Sequence, residues 1–95
     1  MPAYLIANID VLDPKIYDEY RRQVAPLIAK FGGRYVVRGG AHKVLEGSWQ
    51  PHRLVIIEFP SMEALNRWYS SSEYASLIGL RRSAAQGDLV AAEGY

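Results

Sequence analysis

The stretch from Ala3 to Val11 constrains the fold most. Leu5, Ala7, Ile9 and Val11 fall on one side of an extended chain; Tyr4, Ile6, Asn8 and Asp10 fall on the other. Side chains of a strand alternate between its two faces, so the pattern predicts a strand with two unlike faces. The first face is wholly apolar and needs a core. The second mixes apolar and polar groups, and must meet solvent, a second sheet or a ligand.

The rest of the chain supplies partners for this strand. Asp13-Pro14 reads as an N-cap followed by a proline in the first helical turn. Ile16, Tyr17, Tyr20, Val24, Leu27, Ile28 and Phe31 follow at helical spacing, and Gly32-Gly33 ends the run. Pro26 lies inside this helix and is expected to kink it. Arg34–Arg38 and His42–Glu46 read as strands of a hairpin turning at Gly39-Gly40-Ala41, with a loop from Gly47 to His52. Arg53–Phe59 is a strand rich in β-branched residues. Ser61 caps a helix with Glu63 in its first turn. Ser70-Ser71-Ser72 interrupts it. A further helix is expected from about Glu73 to Gln86, stopped by Gly87, before a short strand from Asp88 to Glu93.

This order predicts an α+β fold of the ferredoxin-like, split βαβ kind, with an antiparallel sheet and its helices on one face. With 95 residues the chain is read as one domain, residues 1–95, too small to cover both faces of its sheet. A net charge of +1 supplies no field for nucleic acid or anionic lipid. The absence of cysteine removes disulfides, thiolate metal sites and a cysteine nucleophile. Met-Pro-Ala-Tyr at the start carries no basic segment and no long apolar run follows, so the expected setting is cytoplasmic, away from membranes.

Arg38-Gly39-Gly40, Leu45-Glu46-Gly47, Ile57-Glu58-Phe59-Pro60-Ser61, Trp68-Tyr69, Ser72-Glu73-Tyr74, Arg81 and Glu93-Gly94 together resemble the domain-of-unknown-function family 1330. The resemblance covers nearly the whole chain. It implies the dimeric α+β barrel superfamily, in which two ferredoxin-like units pack sheet against sheet into a homodimer. Relatives there include cofactor-independent monooxygenases, muconolactone isomerases, haem-dependent peroxidases and stress-responsive proteins. The family itself implies no reaction, and a shared fold does not transfer one.

Candidate site residues follow from strand parity. Asn8, Asp10 and Glu58 fall on the face away from the helices, and Arg38 and Glu46 near the hairpin ends. These groups are expected to converge on one pocket, where a carboxylate could move a proton. The candidate catalytic residues are Asp10 or Glu58 as base and Arg38 as an oxyanion partner. Candidate ligand-binding residues are Asn8, His42, Arg81 and the aromatic walls Tyr17 and Tyr74. The competing reading is a structural ion pair, Arg38–Glu46 or Arg38–Glu58, that sets the dimer register. Glu58 is expected to reach Arg38 or Arg81. Trp68 reads as core, Arg82 as a solvated helix residue and His52 as an exposed loop residue. His42 and His52 sit in no zinc-ligand pattern, and no phosphate loop is present, so no metal or other cofactor is expected. Two functions stay open: a dimer binding a small metabolite in a polar-lined pocket, or a cofactor-independent monooxygenase- or isomerase-like enzyme.

Overall fold

In the computed structural model, which describes residues 1–95, the alternating stretch is β1 (Ala3–Val11). It is followed by α1 (Pro14–Lys30), β2 (Arg34–Arg38), β3 (Arg53–Phe59), α2 (Met62–Tyr69), α3 (Ser72–Ala84) and β4 (Ala85–Glu93). The four strands pair antiparallel in the order β2-β3-β1-β4, which is the ferredoxin-like arrangement expected. No helix is long and apolar enough to cross a membrane.

Each helix starts where a side chain satisfies its free amides. Asp13 Oδ1 accepts from Lys15 N at 3.2 Å and from Ile16 N at 3.3 Å. Ser61 Oγ accepts from Ala64 N, and Ser71 Oγ accepts from Tyr74 N, both at 3.1 Å. Such caps contribute about 1 kcal/mol each. Helix α1 continues through Pro26 to Lys30. The chain then reverses at Gly32, whose φ of +85° favours glycine.

All helices lie on one face of the sheet. Ala3, Leu5, Ala7 and Ile9 of β1 and Val55, Ile57 and Phe59 of β3 are buried there against Tyr17, Tyr20, Val24, Ile28, Leu65, Trp68, Tyr74 and Leu77. The parity reading of both strands therefore holds. The other face carries Tyr4, Ile6, Leu54 and Ile56, which are only half-buried, and Val90, which is 58% exposed. With no third layer, the molecule measures only 17 Å along its shortest axis.

Two expectations fail. His42–Glu46 is not a strand; residues 41–50 are exposed and irregular, and Gly39-Gly40-Ala41 joins no hairpin. The pairing edge of β2 is instead taken by β3, which arrives after the long connection of residues 39–52. The last strand begins at Ala85, not Asp88, and Gly87 lies inside it. Leu12 N and Asp13 N both donate to Ala84 O, at 2.8 and 2.9 Å, so the end of α3 is tied to β1 and pairing starts at once. Gly87 allows the close approach that follows: a Cβ there would stand 2.0 Å from Asn8 O.

Candidate functional site

Between the sheet and the helices lies a cavity of about 40 Å³. Its floor is β1, where the small Ala7 stands between Leu5 and Ile9, together with Val55 and Ile57 of β3. Helix α1 brings Tyr17 and Tyr20, one turn apart. Trp68 of α2 and Tyr74 of α3 close the far wall, their ring centroids 4.3 Å apart. Arg81 enters from two turns further along α3. A larger cleft of about 440 Å³ shares Ile9, Arg81 and Leu89 with the cavity and is otherwise bounded by Tyr69, Arg82, Ala85, Gln86 and Gly87.

The hydrogen-bonding character of the cavity is one-sided. Trp68 Nε1, Arg53 Nε and Arg81 Nη1 are buried and have no acceptor in the chain. Trp68 is 1% exposed and Arg81 8%. Buried polar groups normally find partners, and leaving one unmade costs about 1–3 kcal/mol, more when it is charged. Arg53 and Arg38 are placed by contacts that use none of their N–H groups: Arg53 lies 5.8 Å from the Tyr17 ring centre and Arg38 4.4 Å from that of Tyr35. Gly39, at φ +71°, gives Arg53 its room, since a Cβ there would meet the guanidinium at 2.3 Å.

Tyr20 and Tyr74 share a hydrogen bond of 2.9 Å between their hydroxyls. Burial raises the Tyr20 phenol far above its usual 10.0, and the neighbouring Tyr74 adds to the rise while Arg81 opposes it. Burial likewise raises Tyr74 and Tyr35. All three stay neutral at physiological pH. Above about pH 10 the unfolded chain releases these protons while the folded chain retains them, so stability falls as pH rises. We expect denaturation midpoints that do not respond to these phenols below about pH 9 and decline beyond about pH 10. Tyr20→Phe should flatten that decline; an equal decline in the variant would contradict the assignment.

The sequence-predicted residues divide between two faces. Tyr17, Tyr74, Arg81 and Arg38 line the cavity. Asn8, Asp10 and Glu58 are on the open face and line no part of it. Asn8 and Asp10 share a surface pocket with His52, but Glu58 lies away from both. Glu58 is paired with Tyr4, whereas Asn8 is paired with Leu54, which puts Glu58 and Asp10 roughly 20 Å apart along β1. Asn8 Oδ1 accepts from His52 N at 2.9 Å, and His52 Nδ1 is 3.5 Å from Asp10 Oδ1. The expected convergence on one pocket is thus corrected.

Glu58 also has a different partner from those expected. It accepts from Arg34 Nη2 at 3.0 Å on a partly exposed surface, and touches neither Arg38 nor Arg81. The cause is a bulge. Tyr35 faces Ile57 and Val37 faces Ile56, so Val36 is an extra residue and the faces of β2 exchange beyond it. Arg34 stays beside Glu58, while Arg38 turns to the helix side opposite Val55. His42 is exposed in the loop with Nε2 2.8 Å from Pro51 O, and Glu46 is exposed nearby. No strand carries either residue to the cavity.

Sequence reasoning missed Arg53 as a site residue, although parity with Val55 and Ile57 already placed it on the helix side. Trp68 was legible as core, but its unpartnered N–H was not.

Comparison with known proteins agrees with this architecture. The family described as Domain of unknown function (DUF1330) matches residues 2–95. No curated protein matches the sequence. A crystal structure of a protein of unknown function from Rhodopseudomonas palustris superimposes with a TM-score of 0.80 at 19% identity, covering 99% of this chain and 82% of that one. SnoaB, a cofactor-independent oxygenase from Streptomyces nogalater, gives 0.69 at 14% identity, covering 99% and 93%. A structure of an antibiotic biosynthesis monooxygenase gives 0.54 at 21% identity, covering 98% of each chain. At these identities the likeness is one of fold.

Proposed function

Because the chain belongs to the DUF1330 family, whose description assigns no reaction, its function is argued from its own site, and we propose that it is a homodimer binding a small organic molecule between sheet and helices. The observation that carries this is the set of three buried N–H donors, on Arg53, Trp68 and Arg81, around one cavity. A bound molecule supplies the acceptors they lack.

The dimer is formed by the open sheet face. Its apolar residues Tyr4, Ile6, Leu54, Ile56 and Val90 have no helix over them. The chain exposes 6078 Å², against roughly 5500 Å² for a typical monomer of its mass. A second copy covering this face would bury about 1,200 Å² or more in total.

Binding is favoured over catalysis by what lines the cavity. No Asp or Glu is among the lining residues. A carboxylate base of the kind Asp10 or Glu58 would supply is therefore absent from it. The fold is shared with SnoaB, but a reaction here would have to use the Tyr20–Tyr74 hydroxyl pair and the arginines.

The test is a screen of small acids, bases and neutral compounds by ¹H–¹⁵N spectroscopy. The chain has two tryptophans, Trp49, 60% exposed on the loop, and Trp68 in the cavity. Compounds that bind should move the Trp68 indole resonance and leave that of Trp49 in place. Binders that move only Trp49, or a library without effect on Trp68, would contradict the proposal.

A further inference from the structure

The cavity is unbalanced in charge. Arg21, Arg38, Arg53 and Arg81 line it, and no acidic residue does. Arg21 is bound to Asp18 at 2.6 Å. The other three arginines pair with no carboxylate in the chain. Of these Arg81 is buried, Arg53 half-buried and Arg38 exposed; a buried guanidinium without a counter-charge is costly, and it cannot lose its proton to escape that cost. The unpartnered atoms, Arg53 Nε, Arg81 Nη1 and Trp68 Nε1, can only donate. A neutral molecule would satisfy some of the donors and none of the charge.

We infer that the ligand is an organic carboxylate whose charged end lies among Arg53, Arg81 and Trp68 and whose body extends into the adjoining cleft. This deepens the binding reading above and rests on it. Three observations select this class. The inner cavity of about 40 Å³ has room for a carboxylate but not for a whole ring or chain. The neighbouring cleft of about 440 Å³ has that room, and Arg81 borders both. Twelve of the sixteen lining residues are hydrophobic, a setting that suits a monoanion with an apolar body better than a strongly hydrated inorganic anion. A guanidinium fork matches the two oxygens of a planar carboxylate. Arg38, held over Tyr35, adds a charge at the same wall without a fixed acceptor of its own.

Calorimetric titration of the intact protein with sodium benzoate and hexanoate, each against its amide, and with inorganic phosphate, tests the inference. The acids should bind at least about tenfold more tightly than their amides and than phosphate. Arg81→Met should weaken the acids by about tenfold or more and abolish the preference over the amide, with Arg81→Lys in between. Arg53→Met serves as the second variant if Arg81→Met melts early, and should also weaken the acids. Equal binding of acid and amide, or of phosphate and acid, overturns the inference while leaving the cavity as a binding site. The same holds if only neutral compounds from the spectroscopic screen bind. If neither acids nor amides bind and no compound moves Trp68, the cavity reading fails and the inference with it.

Discussion

Trp68→Ala should cost about 3–5 kcal/mol of stability, a large share of what a chain of this size possesses. The indole is 1% exposed and touches aromatic rings on several elements: Phe59 at 5.5 Å, Tyr69 at 6.0 Å and Tyr74 at 4.3 Å between centroids. Removing it leaves a void between β3, α2 and α3 that short helices cannot close. By the usual proportion the melting temperature should drop by roughly 15–30 °C. Trp68→Phe separates packing from hydrogen bonding, because it retains most of the ring and removes the N–H. It should cost less stability than Trp68→Ala and still weaken any ligand that takes the indole donor. Thermal and denaturant unfolding of both variants checks the first claim. A Trp68→Ala protein that melts with the wild type would show that the ring is not core.

The second large effect is expected at the open sheet face. Ile6 and Ile56 are cross-strand partners there, both half-buried with no helix above them. Ile6→Glu places a carboxylate in the proposed interface, and the two-fold symmetry of a homodimer places two. At several kcal/mol for each carboxylate deprived of water, the dimer should weaken by more than about 4 kcal/mol, a thousandfold or more. Sedimentation at micromolar concentration should find the wild type dimeric and the variant monomeric, with unchanged far-ultraviolet circular dichroism. A wild type that is monomeric, or a variant as dimeric as the wild type, would contradict the interface.

Both effects follow from parity, which is what the sequence displays best. Leu5, Ala7 and Ile9 against Ile6 and Asn8, and Val55 and Ile57 against Ile56 and Glu58, announce their faces without any knowledge of the fold. The caps at Asp13 and Ser61 were legible for the same reason, since capping is local chemistry. What escaped depends on pairing between distant segments. The bulge at Val36 lies within Tyr35-Val36-Val37, with no glycine or proline to mark it, and arises only when β2 meets β3. It carried Arg38 away from Glu58 and into the cavity. His42–Glu46 has the local look of a strand but pairs with no other strand. Ala85-Gln86 continues a helical run by composition, yet pairing with Val11 and Asp10 of β1 draws it into β4. The functional expectation shifted accordingly. The carboxylates Asp10 and Glu58 lie along the open face, and the arginines gather on the other.

A crystal structure of the protein grown with sodium benzoate decides between these two faces most directly. The account predicts two copies joined through their open sheet faces, with a benzoate in each, its carboxylate within hydrogen-bonding distance of Arg53, Arg81 and the Trp68 N–H. A benzoate seated instead between the sheets, beside Asn8, Asp10 or Glu58, with the helix-side cavity filled only by water, would contradict it.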